Sequence, residues 1–435
     1  MKQRYDSYKS SGIDWIGDIP SHWNILPLKR ISVMFGRIGY RGYTVQDLTE
    51  DGNGAITLSP SNMVDGRMNY SNVSYLSWYK YHESPEIKIQ QGDILYVKTG
   101  STFGKTSYVD KLPMEATINP QILRIVPSIH PKYLAYCMST PYSQALTDCY
   151  VVGSTIPTIS QESIGNFSFA IPPLAEQEAI AAWLDEKCGE TDAAIAKVDR
   201  ELELIDELKQ SEISRVVTRG LDPTAPLRPS GIDWIGEIPE HWRICLVKHK
   251  YSIQTGFTPA TKIKEYYDAE NGFIWITIGD MKDNVISDSV NKVSSKYIEE
   301  FKPQKTPKGS LLYSFKLSVG QVAFAGVDLY TNEAIASFLQ SKSVNLNFLK
   351  YSSSLIINNA NINIYGAPIM NQELIKNAPI VFPPLKEQEE IAAYLDKKCA
   401  DIDGLKAKLV KKRATLKELR QAIISEVVTG KRKVI

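Results

Sequence analysis

Side chains able to grip a polyanion recur at several points of the chain. FGRIGYRGY, residues 35–43, sets Arg37 and Arg41 among Tyr40, Tyr43 and three glycines. TGFTPATKIKEYYD, residues 255–268, sets Lys262 and Lys264 beside Tyr266 and Tyr267, with Thr258 near its start. Arginine and lysine contact phosphates or guanine edges, and asparagine and glutamine read adenine. NNANINIYG at 358–366 is rich in asparagine and supplies Asn361 and Asn363. GSTFGKT at 100–106 joins Ser101, Thr102 and Lys105 in one turn, whose amides, hydroxyls and cation suit a DNA phosphate. Lys98 and Lys316 end two matched apolar runs, and Ser154 and Gln321 lie in Gly-containing stretches. For any one of these residues the plainer reading is a polar surface loop. The set together favours a nucleic-acid surface.

The same stretches fall short of catalytic patterns. A Walker A loop needs four residues between its glycines, but Gly100 and Gly104 enclose three, and the matching stretch LSVGQVA lacks Lys-Thr. IPPL and FPPL share the Pro-Pro of an amino-methyltransferase motif, yet Ala170-Ile171 and Val381-Phe382 stand where Asp or Asn is needed. His22 and His241 are equivalents inside a repeat, which suits a structural role better than catalysis. No CxxC or HExxH occurs, so no metal site is indicated. The sequence predicts no catalytic and no metal-binding residue.

Composition sets the bounds. Lys+Arg number 50 against 49 Asp+Glu, for a net charge of +1, so any basic surface must be local. With 435 residues and 43% hydrophobic content, the chain can bury two or three cores. No run of eighteen apolar residues predicts a membrane helix. The start, MKQRYDSYKSSG, lacks the apolar segment of a secretory signal. The 5 cysteines are widely spaced, which suits reduced thiols and a cytoplasmic location.

What must position the candidate side chains is a duplicated frame. SGIDWIGDIPSHW at 11–23 returns as SGIDWIGEIPEHW at 230–242 with eleven of thirteen letters identical. PPLAEQEAIAAWLDEKC at 172–188 returns as PPLKEQEEIAAYLDKKC at 383–399 with thirteen of seventeen. Between them lie variable stretches, 24–171 and 243–382. This is one duplication, since solenoids repeat short units several times. Trp15, Trp23, Trp234 and Trp242 are expected to fill a junction at the start of each half, with Gly17 and Gly236 making tight turns.

After each Pro-Pro, apolar residues recur at spacings of three and four, which argues a coiled-coil seam. In the first copy these include Ile180, Leu184, Ile195, Val198, Leu202 and Ile205; the second includes Leu395, Ile402, Leu405, Leu409, Leu416 and Leu419. Gly189 and Gly404 predict a short break, and Lys412 a polar position on the seam. Residues 185–220 hold six Lys/Arg and ten Asp/Glu, whereas 396–435 hold twelve and five. An acidic and a basic helix of this kind are natural partners. In the variable stretches, GDILYVKTG with GSLLYSFKL, and NGAITLSPSNM with GFIWITIGDM, read as matched strands.

The doubled Trp motif, GFTPATKIKEYYDAENGFIWITIGDM and the two PPLxEQE helix starts carry a resemblance over essentially the full chain. The chain resembles the specificity (S) subunits of type I restriction–modification systems. That resemblance implies an α+β fold: two mixed target-recognition domains joined by two long helices in an antiparallel coiled coil, with a pseudo-twofold internal repeat. The expected domains are 1–171 and 221–382 for target recognition, with helical spacers at 172–220 and 383–435. The partners implied are double-stranded DNA, two methyltransferase (M) subunits and restriction (R) subunits. S-adenosylmethionine, ATP and Mg are expected on those partners, with no cofactor and no catalysis on this chain. The alternative is a non-DNA adaptor with duplicated ligand-binding domains.

Overall fold

The computed structural model describes residues 4–37, 39–151, 157–316, 318–362 and 368–434. Ser154 and Asn363 lie outside the described residues, as do parts of YVVGSTIPTIS and NINIYGAPIMN, and of Tyr40 only the backbone is described. The chain divides into two compact units, Met1–Asp199 with Lys411–Ile435, and Arg200–Val410.

The first unit is built on a six-stranded sheet. Its strand order is Ser32–Gly36, Ile122–Pro127, Ile94–Val97, Thr106–Tyr108, Arg67–Met68, Met63–Val64. Ile94–Val97 is buried at every position, which explains an apolar run without alternation. A four-stranded sheet, Ala116–Ile118, Gly54–Leu58, Ser74–Ser77, Leu48–Thr49, packs beside it. The second unit repeats the plan with five strands in the order Ile253–Thr255, Ile335–Phe338, Leu311–Ser314, Val322–Ala325, Val285–Ile286. The matched stretches read from sequence are these strands. Gly54–Leu58 and Phe273–Ile276 each run into a 3-10 turn closed by a capping box, Ser59 with Asn62 and Thr277 with Asp280. One backbone thus carries two unlike sets of side chains.

The helical stretches form Leu174–Arg219 and Leu385–Val428. Neither breaks at its glycine. Gly189 and Gly404 face open space, and a seam packed on the other side of each helix outweighs the roughly 1 kcal/mol a glycine costs. In each unit the two helices run antiparallel. In the first, Asp192 pairs with Arg420 at 2.8 Å and Asp199 with Arg413 at 2.9 Å. In the second, Asp206 pairs with Lys406 and Lys209 with Asp403, both at 2.6 Å.

The seam of the second helix differs from the sequence expectation. Leu395, Cys399, Ile402, Lys406, Leu409, Arg413, Leu416 and Arg420 are buried or half-buried, at alternating spacings of four and three. Leu405, Lys412 and Leu419, seven residues apart, are exposed. The polar seam positions are therefore Lys406, Arg413 and Arg420, one residue beyond the expected line. Their stems cover the seam while their charges reach the aspartates at its edge. Exposed pairs of this kind contribute only about 0.2–1 kcal/mol each. They set register, and the apolar seam supplies most of the stability.

Candidate nucleic-acid interface

Each unit fixes its globule to the helix ends by the same four residues. Trp23 and Trp242 are fully buried. Trp23 joins a core with Ile180 and Leu184 of the first helix and Ile424 and Val427 of the second. Trp242 joins Val216 and Val217 of the first with Ile391 and Leu395 of the second. Trp15 and Trp234 do not fill the junction as expected: they are 36% and 45% exposed, because their neighbours Ile16 and Ile235 turn inward instead.

The Glu-Gln of each PPLxEQE motif has a defined task. Glu176 accepts from the Tyr5 hydroxyl at 2.5 Å and contacts His22 Nε2 at 2.8 Å. Glu387 accepts from Trp242 Nε1 and contacts His241 Nε2, each at 2.8 Å. A carboxylate in the first turn of a helix also suits the helix dipole. Gln177 Nε2 donates to the Pro172 carbonyl at 2.8 Å, and its Oε1 accepts from the His130 amide at 3.0 Å. Gln388 repeats this with Pro383 and Asn345 at the same distances. The histidines are therefore mounting residues, as their place in the repeat suggested.

With the globules so mounted, one end of each main sheet gathers the variable loops. In the first unit Gly36 pairs with Leu123, Val97 with Ile122, and Tyr96 with Thr106. Residues 37, 39–41, 98–105 and 119–121 therefore lie at the same end of the sheet. Lys98 is half-buried there, and burial alone holds its pKa below the usual lysine value. Ser101 and Thr102 are exposed in the hairpin turn, and Lys105 Nζ donates to the Pro60 carbonyl at 3.3 Å. This turn joins two strands, whereas a phosphate loop leads from strand to helix. Arg41 reaches Glu86 at 3.4 Å.

Arg37 is placed differently. Its side chain is buried, donating to the Ile118 carbonyl and Thr117 Oγ1, both at 3.1 Å, and to the Arg41 carbonyl at 3.3 Å. It braces the loop that Arg41 ends.

In the second unit Thr255 pairs with Ala336, and Ser314 with Ile335. The corresponding sheet end carries Thr258 and Lys316, both exposed and both joined to Glu333. The Thr258 hydroxyl and the Lys316 ammonium, 3.8 Å from Glu333, hold that carboxyl below its usual pKa. Gln321 donates to the Met281 carbonyl. Tyr266 is buried against Tyr297 and Phe301, with its hydroxyl 3.2 Å from Glu300, so it belongs to the packing of this loop. Lys262 and Lys264 are exposed farther along the chain, and Asn361 is exposed on a short hairpin, Asn361–Ile362 with Pro368–Ile369.

Sequence reading missed residues that the fold brings to these loops. Gln121 is exposed, with its amide against Gly100, and Gln161 donates to the Met34 carbonyl at 3.0 Å. The signal was present in INPQI at 118–122 and TNEAI at 331–335. Asn119 Oδ1 accepts from the Gln121 amide at 3.0 Å, and Asn332 Oδ1 from the Ala334 amide at 3.1 Å. The same turn therefore presents Gln121 in one unit and Glu333, one position earlier in the turn, in the other.

The family model for the type I restriction modification DNA specificity domain matches residues 39–204 and again 249–411. The chain belongs to this family. Its two specificity domains each span one variable globule and most of the following helix. Among similar proteins, the putative type I restriction enzyme MjaX specificity subunit of Methanocaldococcus jannaschii is 23% identical, covering 96% of this chain and 95% of its own. The StySPI specificity subunit of Salmonella potsdam is 21% identical, covering 95% and 90%. A chain solved in work on complex assembly and conformational transition of the type I R-M system has a TM-score of 0.69 at 17% identity, covering 94% and 98%. That likeness shows a shared fold. Among the described residues no helix is long and apolar enough to cross a membrane.

Proposed function

We propose that this specificity chain reads a bipartite site on duplex DNA, each unit's sheet-end loops contacting one half. The observation that carries this is one backbone arrangement, used twice, with unlike polar side chains on the corresponding loops. The contact set is centred on Arg41, Lys98, Ser101, Thr102 and Lys105 for one half-site. Thr258, Lys316 and Gln321 serve the other, with Gln121 and Glu333 added. Lysines would hold phosphates, Gln121 suits adenine, and Glu333 suits the cytosine amino group. Arg37 and Tyr266 act through the loops they brace. Lys262, Lys264 and Asn361 stay in the proposed set as outer contacts, and Tyr40, Ser154 and Asn363 stay in it as read from the sequence.

In this reading residues 1–171 and 221–382 are the recognition domains, and 172–220 and 383–435 the helical spacers. The chain positions methyltransferase and restriction subunits and is itself non-catalytic. S-adenosylmethionine, ATP and Mg belong to those partners, and the chain works in the cytoplasm. The test replaces residues 24–171 by the equivalent segment of a relative and sequences the methylated sites. One half-site should change and the other persist. A hybrid altering both, or neither, rules out modular readout.

A further inference from the structure

The second unit sets a carboxylate among its sheet-end loops and fixes the backbone around it. Glu333 stands on a turn whose Asn332 amide donates to the Ile276 carbonyl at 2.9 Å. The next residues, Ala334 and Ile335, are buried. Thr258 is pinned on both sides. Trp275 Nε1 donates to the Phe257 carbonyl at 2.9 Å, and the Tyr267 hydroxyl to the Pro259 carbonyl at 2.7 Å. Gly256 lets this loop close on the turn, since a Cβ there would overlap the Thr331 carbonyl. Lys316 follows Phe315, whose amide donates to the Ala334 carbonyl at 3.0 Å.

Rigid backbone thus carries exposed side chains, for Thr258, Lys316 and Glu333 all face solvent. The Thr258 hydroxyl donates to Glu333 Oε2, which orients the carboxylate. Lys316 Nζ lies 3.8 Å from Oε1, beyond the length of a hydrogen bond. The ammonium and that oxygen stand side by side without closing on each other. A ligand that meets both must present a donor next to an acceptor.

Phosphate repels a carboxylate, so on a face that meets DNA Glu333 gains only from a donor on a base edge. The major groove offers two, cytosine N4–H2 and adenine N6–H2. Adenine N6 has an acceptor on each side, its own N7 and the thymine O4 across the pair, and a carboxylate placed there meets one of them. Cytosine N4 has an acceptor on one side only, the guanine O6. N4 and O6 are joined by a base-pairing hydrogen bond of about 2.9 Å, a spacing that suits an oxygen and an ammonium 3.8 Å apart. The geometry points to a C·G pair in the second unit's half-site, at which Glu333 accepts from the cytosine N4 amino group and Lys316 donates to O6 or N7 of the paired guanine. This rests on the proposed function and adds to it that both residues read one and the same base pair.

The test uses the full-length chain assembled with its host's methyltransferase subunit. Sequencing of methylated sites gives the motif, and the segment exchange described above assigns one half-site to the second unit. That half-site should contain a C·G pair whose replacement by any other pair lowers methylation of a duplex at least about tenfold. Glu333→Gln can bond to adenine and should erase the preference for C·G over A·T there. Lys316→Met should weaken the preference at the same pair, and both variants should read every other position as before. The unaltered chain gives a check that needs no variant. N4-methylcytosine at that position still pairs with guanine but covers the contacted N–H, so it should cost about as much as a wrong pair. A half-site without a C·G pair, variants that slow all sites alike, or N4-methylcytosine accepted at every cytosine would each overturn the inference and leave the bipartite reading in place. A segment exchange that changes both half-sites, or neither, would overturn that reading and the inference with it.

Discussion

Two basic residues from different loops of the first unit illustrate how residue type differs from residue role. Arg37 and Lys98 both sit at the loop end of the first unit's sheet, and both look like phosphate contacts in the sequence. Arg37 is spent on backbone carbonyls. Arg37→Ala leaves those acceptors unpaired and should destabilise the first unit by about 2 kcal/mol, measured by denaturant unfolding. Among the described residues no acid pairs with Lys98, and its charge is disfavoured by burial. Lys98→Ala should leave stability unchanged or slightly raised. It should weaken binding of the assembled complex to its site and lower the salt slope of log K by about one. Equal loss of stability in both variants would show that Lys98 is also a brace. Nothing in the sequence FGRIGYRGY shows that Arg37 is a brace, because the Ile118 carbonyl and the Thr117 hydroxyl that it meets come from a distant part of the chain.

At the scale of elements, the long helices carry two predictions. Gly189 and Gly404 lie inside continuous helix with open space at their Cβ positions. Gly189→Ala and Gly404→Ala should each stabilise by about 0.5–1 kcal/mol, read from chemical denaturation. A loss would mean that a bend at these sites is needed. Glu212 ties the helices together in the second unit, accepting from Tyr394 at 2.7 Å and from Arg215 at 2.8 Å. The Arg215 bond first, then the Tyr394 hydroxyl, hold its carboxyl at about 2 against an ordinary 4.5, while partial burial works the other way. A depressed carboxylate pKa contributes stability that is present above the unfolded value and lost as pH falls toward the folded one. After allowance for solvent screening, Glu212→Gln should cost about 1 kcal/mol at pH 7. The gap to wild type should close as pH falls from 4.5 toward 2. A gap independent of pH would mean that packing, not charge, links the helices there.

At the scale of the whole molecule, the two ends of the chain meet in the first unit. The Tyr8 hydroxyl donates to the Gly430 carbonyl at 3.1 Å, and Tyr133 reaches Val428. The exposed segment Leu221–Thr224 follows the first long helix. A permuted chain opened there, with a short linker joining residues 434 and 4, should fold with a melting temperature close to wild type and direct methylation to the same motif. Loss of both half-sites would show that the covalent path through 221–224 matters to the second unit.

The sequence by itself determined the duplication, the two long helices, the matched strands and the mounting role of the repeated histidines. These are local or periodic properties: a heptad, an apolar run or an exact repeat is visible without knowing what lies opposite. Tertiary structure decided which residues flank the apolar line of the second helix's seam. Leu405, Lys412 and Leu419 share a heptad position that two leucines mark as apolar, but packing chose Lys406, Arg413 and Arg420, whose acid partners lie on the other helix. It likewise decided that Trp23 and Trp242 are buried while Trp15 and Trp234 are not, that Arg37 is a brace, and that Gln121 and Glu333 occupy one turn in two units. Each of those outcomes depends on a contact between residues far apart in the chain. Burial and hydrogen bonding are properties of a pair, and only the fold brings the second member of the pair into place.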